Sequence, residues 1–223
     1  MNAKTIRVQA DLLATNKQAA AAIRQELHGR GILAVNLLSS PGSGKTTLLE
    51  ALADRLQGRY RMAVIEGDIE TERDAERIRR KGVPAWQITT GGACHLEARM
   101  IGKVLGEVPA EIDLLFIENV GNLVCPASYD LGEDVRCVLL SSPEGDDKPG
   151  KYPQAFLSAD CLILTKTDLN PHLLFDPARA AAEALAIKPA LRVFSVSALR
   201  GDGVDELAAY FVETLERLRS GRA

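Results

Sequence analysis

Ser39-Ser40-Pro41-Gly42-Ser43-Gly44-Lys45-Thr46 sets glycines, a lysine and a hydroxyl in the order that a phosphate chain demands. Gly42 and Gly44 let backbone N–H groups turn inward around a phosphate, with Ser43 and Thr47 completing the cradle. The start of a helix adds positive potential at the same place. Lys45 would bridge the β- and γ-phosphates, and Thr46 would offer its hydroxyl to Mg²⁺. Ser39 stands where this pattern usually opens with glycine. The bland reading is a Gly-rich turn with a surface lysine. The apolar run before it and the helical pattern after it favour the cradle.

Mg²⁺ needs oxygen ligands, mostly from water, phosphates and one or two side chains. Asp68 follows a second apolar run, and Glu118 follows Ile112-Asp113-Leu114-Leu115-Phe116-Ile117 in the manner of a Walker B carboxylate. Either acid alone reads as a solvated strand end; beside Lys45 and Thr46 both become candidates for the ion and for catalysis. Glu118-Asn119-Val120-Gly121 also resembles the DxxG switch element of GTPases, with Glu replacing Asp. Gly121 would present its N–H to the γ-phosphate.

Thr165-Lys166-Thr167-Asp168 follows the apolar Cys161-Leu162-Ile163-Leu164. Guanine presents two adjacent donors that one carboxylate accepts together, whereas adenine would leave that carboxylate unpaired. The Lys166 stem can lie across the base plane. The segment resembles the NKxD element, with Thr165 replacing the bracing Asn. Ser197-Ala198-Leu199 resembles the SAL element whose backbone meets guanine O6. In this order, these motifs favour GTP over ATP.

Cys94-His95, after Gly91-Gly92-Ala93, and Cys125, before Pro126, offer thiolate and imidazole. Those donors suit Zn²⁺, Ni²⁺ or Cu⁺ rather than hard cations. At the start of a helix, as the pattern predicts for Cys94, the dipole would stabilise the thiolate. Adjacent helical residues diverge by about 100°, however, which separates Cys94 from His95. Three ligands also leave a tetrahedral site incomplete, a gap that a two-fold dimer pooling ligands would close. A buried thiol beside a capping histidine stays open as the alternative. Cys137 and Cys161 lie within apolar runs and read as core; His28 and His172 have no visible partners and read as structural.

These residues need a scaffold that gathers strand ends along one edge. Short apolar runs at 32–38, 61–65, 86–89, 112–117, 135–140, 161–164 and 191–196 alternate with helical patterns at 19–27, 48–56, 93–105, 178–186 and 204–218. A charged helix, ERDAERIRRK, lies between the second and third runs. Continuous apolar strands separated by helices predict an α/β fold, a mostly parallel sheet covered on both faces. Such sheets bind ligands beyond the carboxyl ends of their strands, where every motif above falls. Residues 141–153, dense in Pro, Gly and charge, form an insert long enough to be a working loop.

The chain has 223 residues, 46% of them apolar, and a net charge of −3 from 27 basic and 30 acidic side chains. That length favours one domain, 1–223, with a helical extension over about 1–30. The charge argues against nucleic-acid and membrane-surface partners. No apolar run reaches membrane-spanning length, and the N-terminus has no secretory h-region. Four scattered cysteines exclude a disulfide scaffold. Together these features predict a cytoplasmic globule.

SSPGSGKTTLLE, EGD, GGACHLEA, IENVGNLVCP, PEGDDKPGKYP, LTKTDL and FSVSAL together resemble the HypB family, P-loop GTPases that deliver nickel to [NiFe]-hydrogenase. The likeness runs from about residue 36 to 199. It implies a P-loop NTPase fold, slow GTP hydrolysis, and Cys94, His95 and Cys125 as nickel or zinc ligands near a dimer interface. It further implies nucleotide-driven homodimerisation shaped by the loop 143–153, with Lys151 reaching a nucleotide across it. A HypA-like nickel protein would be the partner and the hydrogenase large subunit the client. Some relatives carry an N-terminal cysteine cluster or a histidine-rich store. Here the first cysteine is Cys94 and histidines number 3, so transfer would use the single G-domain site. Two rivals keep the cradle: a small-molecule P-loop kinase, and a non-metallic GTPase chaperone of a metalloenzyme.

Overall fold

A computed structural model describes residues 3–68 and 72–221. Among the described residues seven strands form one sheet: β1 Leu33–Ser39, β2 Met62–Asp68, β3 Ala85–Thr89, β4 Leu114–Glu118, β5 Val135–Ser141, β6 Cys161–Thr165 and β7 Arg192–Ser195. Their order is β3-β2-β4-β1-β5-β6-β7, with every pairing parallel. Helices α1 Ala3–Gly29, α2 Lys45–Leu56, α3 Arg73–Arg80, α4 Ala98–Leu105, α5 Lys148–Lys151, α6 Pro153–Ser158, α7 Pro177–Ile187 and α8 Val204–Arg219 complete the chain.

Side chains alternate across a strand, so a doubly covered strand must be apolar at every position. β4 shows the consequence. Leu114 and Phe116 join the core under α2, α3 and α8, whereas Leu115 and Ile117 join the core under α1 and α4. A third cluster packs α6 and α7 against β5 and β6 through Val138, Leu140 and Leu162. Phe116 meets Phe211 of α8 edge-on, with ring centroids 5.4 Å apart.

The chain passes from β1 over β4 to β2, and later from β4 over β1 to β5. The reversal leaves a crevice at the carboxyl ends of β1 and β4, the place where open α/β sheets bind ligands. The phosphate-cradle sequence leaves β1 there, and Glu118 ends β4.

Two expectations change. Residues 93–105 do not form one helix, because α4 starts at Ala98. Gly91 and Gly92 take φ of 62° and 102°, Glu97 is extended, and Leu96 is driven into the core against Gly67. A side chain on Gly67 would sit 2.7 Å from Leu96, so this approach requires glycine. The insert 141–153 is partly ordered as a 3-10 turn at Ser142–Glu144 and the short α5. Among the described residues, no helix is long and apolar enough to cross a membrane.

Candidate functional site

Gly42 and Gly44 take left-handed φ of 74° and 91°, the conformation that turns amides inward where β1 meets α2. Lys45 Nζ lies 3.0 Å from Ser39 Oγ and 3.9 Å from Glu118 Oε1, so the serine in place of glycine supports the lysine. Thr46 Oγ1 donates to Glu118 Oε1 at 2.9 Å. The adjoining cleft, about 490 Å³, is lined by Gly44, Lys45, Thr46, Asp68, Glu118 and Gly121 among others. The cradle, both predicted acids and the predicted γ-phosphate sensor thus face one space. Gly121 packs so closely on Pro41 that a Cβ would lie 2.9 Å from the Pro41 Cα.

Glu66 and Asp74 also line this cleft. Glu66 stands opposite Glu118 in the β2–β4 register. Both carboxylates are buried, and each keeps one oxygen without a hydrogen-bond partner. Burial first, then the charges of Glu118, Asp74 and Asp68, raises the Glu66 pKa. Burial also raises that of Glu118, opposed by Lys45 and the Thr46 hydroxyl. Carboxylate oxygens of Glu66, Asp68 and Asp74 come within 4.8 Å of one another.

A second pocket, about 270 Å³, adjoins the cradle and is lined by Lys166, Asp168, Ala198 and Leu199 with Gly44 and Thr47. Ser197 Oγ donates to Asp168 Oδ1 at 2.6 Å, fixing the carboxylate that would read guanine. Lys166 takes φ 57°, and its Nζ donates to Gly42 O at 2.7 Å. Thr165 Oγ1 donates to Ser43 O at 2.7 Å, so the threonine that replaces Asn does brace the cradle.

Cys94, His95 and Cys125 bring Sγ and ring-nitrogen atoms within 4.8 Å of one another. Cys94 lies on a bend four residues before α4, so the helix dipole does not act on its thiol. The same bend removes the 100° divergence that a helix would impose on Cys94 and His95. A hydrogen bond from Cys125 to the Cys94 sulfur raises the Cys125 pKa, and burial adds to it. Burial lowers the His95 pKa against the charge of Glu97, leaving a neutral imidazole with a free lone pair. Cys137 and Cys161 are fully buried core neighbours on β5 and β6.

The model of the CobW/HypB/UreG nucleotide-binding domain matches residues 33–195. Hydrogenase maturation factor HypB of Azotobacter vinelandii is 48% identical over 220 residues, 98% of this chain and 71% of that protein. The crystal structure of HypB from Helicobacter pylori in complex with nickel superposes with TM-score 0.86 and 43% identity, covering 93% of this chain and 97% of that one. The HypB structure from Archaeoglobus fulgidus gives TM-score 0.84 and 37% identity, covering 91% and 99%. The chain belongs to the CobW/HypB/UreG family. Its members are P-loop GTPases, so the expected fold and nucleotide class hold and the kinase reading falls.

Several residues of this CobW/HypB/UreG chain escaped the sequence reading. Glu66 lies in the quoted EGD, but its role depends on β2 pairing with β4. Glu144 reaches from the insert to Ser43, 2.7 Å away, and closes a capping box with Ser141. Burial opposes its ionisation, yet hydrogen bonds from Ser40, Ser43 and Ser141 hold its pKa low. Asn122 donates to the Cys94 carbonyl at 3.3 Å, tying the switch-like segment to the backbone of the other cysteine. Lys151 lies in neither nucleotide pocket and pairs at 2.5 Å with Asp147, the residue just before its helix α5.

Proposed function

We propose that this chain is a GTP-hydrolysing nickel metallochaperone for maturation of [NiFe]-hydrogenase. One observation carries the reading. Three soft donors converge at Cys125, on the backbone that leaves the nucleotide cleft through Glu118 and Gly121. Relatives named as hydrogenase maturation factors, and a HypB structure in complex with nickel, support the cargo. They weigh against a non-metallic chaperone.

In this reading Lys45 and the amides of residues 42–47 draw the triphosphate into line, and Asp168 with Ser197–Leu199 holds guanine. Buried oxygens without partners on Glu66 and Glu118, beside Thr46 and Asp68, form an all-oxygen donor set that fits Mg²⁺. The ion, when bound, supplies charge neutralisation across the phosphates. Phosphoryl transfer asks the protein mainly for positioning. Arg77, a basic side chain at the cleft, is engaged by Glu50 and Asp74. We therefore expect turnover well below the roughly 1–10³ s⁻¹ of typical enzymes. Contact between Gly121 and the γ-phosphate would bias residues 118–125 between two arrangements, coupling nucleotide state to nickel affinity.

Three donors leave room for a fourth, which a GTP-bound homodimer in the cytoplasm would supply, with Lys151 reaching across. A HypA-like protein would load the site and the hydrogenase large subunit would receive the metal. Sizing the chain by light scattering with GDP and with a non-hydrolysable GTP analogue, while counting bound nickel and zinc, tests this. The expected result is a dimer with the analogue and nickel lost in Cys94→Ala and Cys125→Ala. Equal nickel affinity in both nucleotide states, or wild-type stoichiometry in both variants, overturns the reading.

A further inference from the structure

Glu97 immediately precedes α4, the position from which a short polar side chain such as Ser, Thr, Asp or Asn ordinarily accepts amides of the first turn. It makes no such bond. Asn16 of α1 does part of that work, its Oδ1 accepting the Ala98 amide at 2.8 Å. The Glu97 carboxylate turns the other way. Its Oε2 lies 2.7 Å from Arg99 Nε, and its Oε1 lies 3.8 Å from His95 Nε2.

That nitrogen is buried and has no hydrogen-bond partner. The other ring nitrogen, Nδ1, faces Cys94 Sγ at 4.0 Å. Tyr129 stacks on the imidazole with centroids 4.0 Å apart and planes 26° from parallel. Tyr129 thus fixes the plane of the ring, while a thiol and a carboxylate stand at its two nitrogens. A neutral imidazole has one N–H, and the nitrogen carrying it cannot ligate. Metal-binding histidines usually give that N–H to a carboxylate or carbonyl, which sets the tautomer and makes the ligating nitrogen more basic.

We infer that Glu97 is a positioning residue for metal capture, accepting the Nε2–H of His95 so that Nδ1 is the ligating atom. The inference rests on the reading of Cys94, His95 and Cys125 as the metal site. Arg99 Nε holds Glu97 Oε2 at 2.7 Å while its Nη2 reaches Oε1 only at 3.5 Å, so that Oε1 closes on the imidazole by about 1 Å to hydrogen-bond distance.

The test uses the full chain and Ni²⁺ in competition with a chromogenic chelator. Glu97→Ala should weaken nickel binding about 10–100-fold. Glu97→Gln, whose amide oxygen still accepts from Nε2–H, should recover part of that loss. Affinity for a GTP analogue should be unchanged in both, which also reports that they fold. In Zn²⁺-loaded wild type, long-range ¹H–¹⁵N spectra of the His95 ring should show Nε2 protonated and Nδ1 metal-bound. Wild-type affinity in Glu97→Ala would overturn the inference. So would Glu97→Gln as weak as Glu97→Ala, which indicates direct ligation by the carboxylate, or a metal-bound Nε2. Nickel affinity unaltered in Cys94→Ala and Cys125→Ala would sink the metal site itself, a separate failure.

Discussion

The nucleotide cleft and the soft-donor pocket are neighbours built by opposite means. The cleft takes its groups from strand ends and the turns that leave them: Lys45 after β1, Asp68 ending β2, Glu118 ending β4 and Asp168 just past β6. Parallel pairing fixes those positions relative to one another, and the chain's own polar groups pre-tighten them, as in Ser197 on Asp168. The pocket takes its donors from two irregular segments, around Cys94 and Cys125, joined by the long contact of Asn122. A reader built on strand ends thus adjoins a holder built on irregular segments, the arrangement that the proposed coupling of nucleotide state to metal affinity needs.

The reader half fails most sharply if Asp168→Asn leaves GTP binding intact. Two hydrogen bonds to a charged acceptor are each worth about 1.5–3 kcal/mol, so GTP affinity should fall roughly 10²–10⁴-fold. Xanthosine triphosphate, whose O2 accepts where the guanine 2-amino group donates, should regain much of that loss in the variant. Competition with a fluorescent nucleotide measures both. Nickel binding in the nucleotide-free variant should stay at the wild-type level, because Asp168 lies in the base pocket only.

Gly121→Ala tests the boundary between the two halves. Its Cβ would meet Pro41 backbone atoms at 2.9 and 3.0 Å, and backbone cannot swing away. The segment 119–125 must therefore retreat from the cradle. A displacement near 1 Å costs on the order of 10²-fold in rate. Single-turnover GTP hydrolysis should slow by about that factor while GDP affinity changes little. An unslowed variant would free Gly121 from any role at the γ-phosphate.

What the sequence made legible follows the same division. The sheet was readable because doubly covered strands must be continuously apolar, and β1, β4 and β6 are. Lys45, Thr46 and Asp168 were readable because their chemistry is local, a strand followed by a short motif. Cys94 was misplaced onto a helix because the pattern of α4 extends smoothly backwards. Only burial of Leu96 against Gly67 and the cap from Asn16 reveal where the helix starts. Glu66 was hidden for a related reason. It sits inside a strand, and its meaning depends on standing opposite Glu118, 52 residues away in the chain.

Glu66 allows a test of how much stability the reader gives up. In the nucleotide- and Mg²⁺-free fold its pKa is raised above the unfolded value, chiefly by burial. The folded state then binds more protons than the unfolded state, so stability falls as pH rises from the ordinary glutamate range through the raised value. Thermal melts of the free protein should decline over that window. Glu66→Gln should make the decline shallower by up to about 1.4 kcal/mol per pH, with Glu118 retaining the remainder. Equal slopes would mean that Glu66 is not a buried carboxyl whose ionisation awaits a cation.

Asn122→Ala is the smallest perturbation, because it removes hydrogen bonds to the Cys94 carbonyl and the Cys125 thiol but no donor atom. Asn122 donates to the Cys94 carbonyl, and its Oδ1 accepts the Val124 amide at 2.9 Å. One net hydrogen bond is worth about 0.5–1.5 kcal/mol, so the ratio of nickel affinities between GTP and GDP states should shrink by roughly 2–10-fold. Nickel stoichiometry and GTP affinity should be kept, since all three donors and the cradle remain. Parallel titrations in both nucleotide states measure the ratio. If it matches wild type, movement of residues 118–125 reaches Cys94 by the Leu96–Gly67 contact instead, and the holder takes its signal from β2 rather than from the segment after β4.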